Sequence, residues 1–312
     1  MQYCYTLNRN SQVVRGGGMA MLILMIELVR PSVGFERHLY IVAHQDDAIL
    51  FMNPAIQQAI DQKHAVRTMY LTAGDACKGK AYWQRREAGT KAAYAAMARV
   101  DDVWTPVTRN QSAAMYALAA NLHVSLVFFR LPGGMCYKNS TSLRRLWLEQ
   151  IPRLTTVEGS HSYTKDTLTQ ALLEELHDFL PDMVGMMDST AQAPVGTDPY
   201  ASKVHSPTCR TTGASDHHDH IATAMFSQAA RTMYTHAHRV VVYRGYNIVS
   251  EPANLSPQDS SRKREIFLTY MRHDPTLSVP LECLYEEWIL RQYTIQAESA
   301  KFEGEEPTEA TD

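Results

Sequence analysis

Two short polar segments that lie far apart in the sequence contain the residue types that bind metal ions. Residues 44–47 read HQDD directly after an apolar run, and residues 216–220 read DHHDH. Imidazole nitrogens and carboxylate oxygens are common zinc ligands, and catalytic zinc sites use three of them and keep one coordination position open. The two segments together therefore predict a catalytic metal site.

The spacing within each segment explains how its side chains could reach one ion. Residues three apart across a turn that begins a helix can point to the same side, so His44 and Asp47 can bind one metal while Asp46 faces the cavity beside it. His217 and His220 are also three apart, and one of them would complete a set of two nitrogens and one oxygen. Zinc bound in this way lowers the pKa of water to near 7 and polarises a carbonyl group. These ligands therefore indicate a hydrolase.

Alternating strand and helix patterns surround the two segments. The first four elements, in the order strand, helix, strand, helix, are expected at 38–43, 53–62, 66–71 and 82–97. Further strands are expected at 123–129, 181–186 and, with a turn, within 243–255, and further helices at 166–179, 221–233, 261–271 and 282–293. Such alternation forms βαβ units. It predicts the α/β class and a Rossmann-like three-layer fold with a mostly parallel sheet, with both polar segments at strand-to-helix junctions, where such folds bind ligands.

Composition excludes several classes of protein. The chain has 312 residues, of which 45% are hydrophobic, and a formal net charge of -3. This length suits a globular protein with a large core, and the nearly balanced charge does not indicate nucleic-acid binding. No apolar run reaches the roughly 18–20 residues that a membrane-spanning helix needs. Five cysteines without a C-x-x-C pair indicate neither a disulfide scaffold nor a cysteine zinc site.

Composition also divides the chain into three parts. Residues 35–296 form one predicted domain that carries both polar segments, residues 1–34 form an N-terminal extension, and residues 297–312 form an acidic, disordered tail. We expect a cytoplasmic protein. The alternative is an exported one, because the apolar run at 19–29 follows basic residues as in a signal peptide, although no cleavage-site pattern comes after it.

At the two polar segments the sequence resembles the LmbE/PIG-L family of zinc-dependent N-acetylglucosaminide de-N-acetylases. The family's motif Ala-His-Pro-Asp-Asp-Glu corresponds to AHQDDA at 43–48, and its His-x-Asp-His motif corresponds to HHDH at 217–220. Three further segments are similar to the family, TAGD at 72–75, RREA at 85–88 and PDMV at 181–184. The resemblance spans about 38–235 of the chain.

The resemblance implies one zinc ion per chain, which other divalent transition metals could replace, bound by His44, Asp47 and His220. Asp46 would be the general base that takes a proton from zinc-activated water as it attacks an acetamide carbonyl. His217 would stabilise the oxyanion, and either His217 or Asp46 would then protonate the departing amine. Asp219 would orient a histidine by hydrogen bonding. The implied reaction removes the acetyl group from an N-acetylglucosamine-type glycoconjugate or small molecule.

Substrate contacts are less well defined than the metal ligands. Arg85 or Arg86 would hold a sugar hydroxyl or a phosphate, and Asp75 would accept a hydrogen bond from a sugar hydroxyl.

In the first motif Gln45 replaces the family's proline and Ala48 replaces its glutamate, and neither change removes a metal ligand. Two alternatives stay open. One is a metal-dependent amidase for a non-sugar or natural-product amide, and the other, which the lost glutamate favours, is a catalytically inactive glycan-binding protein.

The acidic tail at 297–312 is predicted to be dispensable. We expect its deletion to leave folding and turnover unchanged, because a segment so rich in acidic residues cannot bury enough apolar surface to pack on a core. Thermal melting and the reaction rate of the truncated protein test this. A large drop in melting temperature would contradict it.

Overall fold

The computed structural model describes residues 34–109, 111–134, 142–191, 215–278, 280–281 and 283–295. The predicted extension at 1–34, apart from Gly34, and the predicted tail at 297–312 lie outside these ranges. The three-part division of the chain therefore stays a prediction. Within the described ranges, no helix combines the length and the apolar character that crossing a membrane requires.

Most strands of the described chain belong to one eight-stranded sheet. The strands are β1 Arg37–Val42, β2 Ala65–Thr72, β3 Trp104–Val107, β4 Ala114–Leu118, β5 Asn121–Leu131, β6 Leu154–Thr155, β7 Ser162–Tyr163, β8 Met183–Met187, β9 Arg239–Tyr243 and β10 Thr294–Ile295. The sheet order is β10-β9-β8-β1-β2-β5-β4-β3, and β6 pairs with β7 separately. The five strands from β9 to β5 in that order run parallel, whereas β10, β4 and β3 pair antiparallel at the two edges.

Helices cover both faces of this sheet. They are α1 Asp47–Phe51, α2 Ala55–Asp61, α3 Lys80–Ala98, α4 Leu143–Trp147, α5 Lys165–Phe179, α6 His218–Met233, α7 Pro257–Met271 and α8 Cys283–Ile289, with a 3₁₀ helix at Tyr246–Ser250. Apolar side chains of α1, α2, α3, α7 and α8 share one core cluster, and most of those of α4, α5 and α6 belong to another. Three layers result, which confirms the predicted α/β fold class with a mostly parallel sheet.

The central strands hold these layers together because they are buried on both sides. In β1, Tyr40 and Val42 belong to the first core cluster, while Leu39 and Ile41 belong to the second. Successive residues of a strand point to opposite faces, and a parallel strand covered on both faces reads as a continuous apolar run. This explains why the run that precedes residue 44 is uninterrupted.

Several elements differ from the predictions. The helix expected at 53–62 is preceded by α1, which starts at Asp47 and is too short to show a helical period. Neither β3 nor β4 was predicted, because both are short and only partly buried and edge strands tolerate residues such as Pro106. The strand expected within 243–255 is instead β9, which ends at Tyr243. Cys77 is disulfide-bonded, a cross-link that the cysteine spacing did not predict.

Helices α3 and α7 approach each other closely at Gly89. A Cβ atom at this position would lie 2.8 Å from the backbone oxygen of Tyr270 and 2.9 Å from its ring. Real Cβ atoms do not approach a backbone oxygen this closely, so any larger residue forces the two helices apart. The close approach matters for the site, because α3 also carries Arg86.

We predict that Gly89→Ala destabilises the protein by about 1–3 kcal/mol through overpacking. A decrease in the free energy of unfolding would be diagnostic of the close contact, because alanine in a helix interior is otherwise favoured over glycine by about 1 kcal/mol. Ala96→Gly, at an exposed position of the same helix, is the control and should cost about 1 kcal/mol. Urea denaturation measures both. A Gly89→Ala protein that is more stable than the parent would refute the proposed close contact.

Candidate metal centre

The fold brings the two polar segments together at the carboxyl end of β1. Residues 44–47 follow that strand, and residues 217–220 form the cap and first turn of α6. The ring centroids of His44 and His220 are 5.1 Å apart, and those of His44 and His217 are 4.7 Å apart. Helix α6 begins at His218 rather than at 221 as expected, which places His220 in its first turn.

Three side chains form a compact triangle at this meeting point, and Asp47 contributes both of its carboxylate oxygens to it. His44 Nδ1 lies 3.2 Å from His220 Nε2 and 3.3 Å from Asp47 Oδ2, and His220 Nε2 lies 3.0 Å from Asp47 Oδ1. Ligands of a tetrahedral zinc ion, bound at 2.0–2.1 Å, are roughly 3.3 Å apart. The triangle therefore has the size that a single four-coordinate ion requires.

A carboxylate fixes each of the two imidazoles. His44 Nε2 lies 3.1 Å from Asp219 Oδ2, and His220 Nδ1 lies 2.7 Å from Asp216 Oδ1. An imidazole that donates one N–H to a carboxylate keeps its other nitrogen unprotonated and correctly oriented for a metal. The two nitrogens in the triangle are thus the ones left able to bind an ion. Asp47 is fixed as well, because its Oδ2 accepts the backbone N–H of His44 at 2.6 Å.

His217 is arranged differently from the other two histidines. It caps α6, and its Nδ1 accepts the backbone N–H of Asp219 at 3.0 Å. A backbone N–H can only donate, so the hydrogen of a neutral His217 ring resides on Nε2. Burial lowers the pKa of this imidazole to about 3, which keeps it neutral. Although its ligand atoms lie close to those of His44 and His220, this arrangement favours a hydrogen-bond donor over a metal ligand.

Buried charge makes the centre attractive to a cation. Burial acts to lower the pKa of His44, yet the charge of Asp47 and hydrogen bonds to Asp219 and Asp47 raise it to about 9. Burial likewise opposes protonation of His220, but Asp47 and Asp216 raise its pKa well above the ordinary value. Buried carboxylates require compensating positive charge. A divalent ion would supply it without protonating either imidazole.

Asp46 lies beside the triangle at the N-cap of α1, where it makes no capping hydrogen bond. Its Oδ1 accepts from Arg86 Nη2 at 2.6 Å. Burial raises the pKa of Asp46, and Arg86 opposes that rise. The guanidinium of Arg86 also donates to Gly74 O at 2.8 Å and to the Tyr270 hydroxyl at 2.7 Å, and it pairs with Asp274 at 3.0 Å. Arg86 is thus a buried residue that holds Asp46 in place.

The other two predicted substrate residues have partners within the protein. The exposed Arg85 donates through Nε to the backbone oxygen of His273 at 3.1 Å. Asp75 accepts the backbone N–H groups of Gly133 at 2.8 Å and Cys77 at 3.2 Å. Asp75 therefore ties two loops together at this edge of the sheet, and contact of either residue with a substrate stays a prediction.

Three residues at the centre were not predicted. Asp216 lies four positions before His220. Side chains four positions apart are neighbours on a helix, so the sequence did indicate that Asp216 could contact His220. Tyr246, at the beginning of the 3₁₀ helix, packs its ring 4.8 Å from that of His220. Gly134 donates its backbone N–H to Asp219 Oδ2 at 2.7 Å, and a Cβ there would lie 2.8 Å from Asp219 Oδ1. Tyr246 follows β9 and Gly134 follows β5, and only the sheet order reveals that both reach the site.

We predict that Asp216→Ala weakens metal binding by about 10–100-fold, the usual cost of losing the partner of a metal-binding histidine. Asp182→Ala is the matched control, because Asp182 accepts the Arg37 N–H at the opposite end of the sheet. Zinc affinity is measured by competition with a chelating dye, and melting curves check that both variants fold. Equal affinity in the Asp216→Ala protein and the parent would show that Asp216 does not orient His220.

Comparison with known proteins gives the family. The PIG-L family model, described as GlcNAc-PI de-N-acetylase, matches residues 39–231, whereas no curated protein matches the chain. Similar solved structures include the 4-carboxy-2-hydroxymuconate hydratase of Pseudomonas putida KT2440, with 14% identity, a TM-score of 0.43, and coverage of 81% of this chain and 83% of that one. The A40926 pseudoaglycone deacetylase has 13% identity, a TM-score of 0.45, and coverage of 81% and 89%. The N,N'-diacetylchitobiose deacetylase of Pyrococcus horikoshii has 13% identity, a TM-score of 0.41, and coverage of 77% and 72%. Because the family model matches more than half of its length, this chain belongs to the PIG-L family.

Proposed function

We propose that this protein is a metal-dependent deacetylase that hydrolyses the acetamide of an N-acetylglucosamine-type glycoconjugate. The observation that carries the proposal is the triangle of side chains formed by His44, Asp47 and His220, whose nearest ligand atoms lie 3.0–3.3 Å apart. Asp46 directly precedes Asp47, at the N-cap of α1. Membership of a family described by de-N-acetylation of a GlcNAc conjugate supports the bond type and the sugar.

The donor set fits zinc. Two imidazole nitrogens and one carboxylate with an open position are typical of catalytic zinc, and other divalent transition metals bind the same donors. We propose one ion per chain, held by His44, Asp47 and His220. When bound, such an ion lowers the pKa of a water molecule and polarises the acetamide carbonyl.

We assign the base to Asp46. Arg86 fixes its carboxylate through an ion pair of 2.6 Å. Burial raises the pKa of Asp46 above its ordinary value, which is the direction that favours a general base at neutral pH. Asp46 takes the proton of the attacking water as the water oxygen bonds to the acetamide carbon. When the carbon–nitrogen bond breaks, Asp46 returns that proton to the amine, and acetate and a free amino sugar leave.

We assign oxyanion stabilisation to His217. With Nδ1 accepting the Asp219 N–H, its Nε2–H is the group that can donate to the negative oxygen formed during attack. A neutral imidazole of this kind is a poor acid, so in this mechanism the amine proton comes from Asp46 rather than from His217. Asp219 holds His44 and contributes no proton.

Arg85 and Asp75 stay our proposed sugar contacts, and Arg86 is proposed to act on the substrate mainly through Asp46. A non-sugar amide is the alternative substrate, since the catalytic groups specify the bond and not its surroundings. An inactive glycan-binding protein is the alternative from another class. An acetate-release assay with an N-acetylglucosamine conjugate, with and without chelator, separates them. No acetate from protein that carries one zinc per chain would favour the binding protein.

Replacing the base should separate metal binding from turnover. We predict that Asp46→Asn keeps the full metal content and lowers kcat by about 10²–10⁴-fold, the usual contribution of general base catalysis. Asp166→Asn, on the exposed side of α5, should leave both unchanged. Metal content is measured by mass spectrometry and turnover by acetate release. Loss of zinc from the Asp46→Asn protein would assign Asp46 to the ligands instead.

Replacing a metal ligand should abolish both metal binding and turnover. We predict that His44→Ala or Asp47→Ala lowers zinc occupancy and acetate release together, and that zinc no longer raises the melting temperature as it does for the parent through binding to the folded state. Equal zinc occupancy in the His44→Ala protein and the parent would refute the ligand assignment.

A further inference from the structure

A cavity with a volume of about 300 Å³ lies at the same edge of the sheet as the metal centre. It is formed where β3 ends, β4 begins and β5 ends, with Thr108, Ser112 and Arg130 among its walls. Strand β5 is parallel to β2 and β1, and β3 also runs in that direction because β4 is antiparallel to both. The cavity therefore lies on the ligand-binding side of the fold.

The end of β5 and the loop after it contribute residues both to this cavity and to the metal centre. Arg130 lines the cavity, and Gly134, just beyond the end of the strand, donates to Asp219, the carboxylate that also holds His44. With neighbouring strands about 4.8 Å apart, roughly 14 Å separate β1 from β4 along this edge. This separation is comparable with the length of a ligand that contains more than one sugar ring.

The two cations of the cavity are already neutralised. Arg130 pairs with Glu87 at 2.7 Å and with Glu158 at 2.9 Å, and Arg109 pairs with Glu175 at 2.6 Å. An anionic ligand would have to compete with these carboxylates for the guanidinium groups. The charge of the cavity thus favours a neutral ligand over a phosphate or a carboxylate.

Five residues with uncharged hydrogen-bonding groups line the cavity beside apolar side chains such as Met115 and Phe128. These groups are the hydroxyls of Thr108, Ser112, Thr156 and Ser160 and the amide of Gln111. The side chains of Thr108 and Gln111 make no hydrogen bond to any residue that the structure describes, so both are available to a ligand. Hydroxyl and amide groups that both donate and accept match the hydroxyls of a sugar.

We propose that this cavity is a subsite for a second, neutral sugar ring, the neighbour of the ring whose acetamide is cleaved. The inference rests on the proposed function, because it takes the ring at the metal centre as the first unit. Thr108 and Gln111 then determine specificity by favouring a disaccharide unit over an isolated N-acetylated sugar.

The test compares the binding of N,N'-diacetylchitobiose with that of N-acetylglucosamine. Calorimetry uses the full chain with zinc and Asp46→Asn, so that bound sugar is not consumed. We expect the disaccharide to bind at least tenfold more tightly than the monosaccharide. Adding Thr108→Trp, which fills the cavity, should remove that advantage and leave monosaccharide binding unchanged.

Thr105→Trp is the matched control, because Thr105 is an exposed residue of β3 that does not line the cavity. Gln111→Leu is a second variant that removes a hydrogen-bonding group without filling the space, and it should weaken disaccharide binding severalfold. Equal affinity for the two sugars, no binding of either, or weakening of both sugars by Thr108→Trp overturns the inference. Failure of the proposed function shows itself separately, as absence of acetate release by the parent protein.

Discussion

Compensation of buried negative charge is the constraint on which the metal centre depends. Asp47, Asp216 and Asp219 are almost completely buried around two imidazoles, those of His44 and His220. Without a cation, the imidazoles must take up protons to balance these carboxylates, and their raised pKa values express that demand. A divalent ion balances the negative charge of the carboxylates while leaving the imidazole nitrogens unprotonated. The buried carboxylates therefore favour binding of a metal ion.

The rest of the fold is arranged to hold this group of charges. The parallel strands deliver residues 44–47 to the edge of the sheet, and the N-cap and first turn of α6 deliver His217 and His220. Loops add the supporting contacts, since Gly134 donates to Asp219 and the backbone N–H of Tyr246 donates to Asp216. Helix α3 adds Arg86, which ties Asp46 to α7 through Tyr270. Asp46 is therefore held by Arg86 of α3, whereas His44 and His220 are held by Asp219 and Asp216, so the role of the base can be separated from metal binding by mutation.

Much of this arrangement could be predicted from the sequence, because buried parallel strands and metal ligands leave local signals. Apolar runs located β1, β2, β5 and β8, and three-residue spacing located the histidines and aspartates. What could not be predicted depends on tertiary contacts. The burial of Arg86 was hidden because α3 is covered on much of its circumference and shows little amphipathic pattern. Tyr246 and Gly134 belong to loops whose place beside the centre is set by the sheet order.

The most direct test is a crystal structure of the zinc-loaded protein with anomalous diffraction recorded at the zinc absorption edge. We expect one peak, about 2.0–2.2 Å from His44 Nδ1, an Asp47 carboxylate oxygen and His220 Nε2. His217 should lie outside the coordination sphere, with its Nδ1 still accepting the Asp219 N–H. A peak bonded to His217 in place of Asp47, or no peak between the two polar segments, would contradict it.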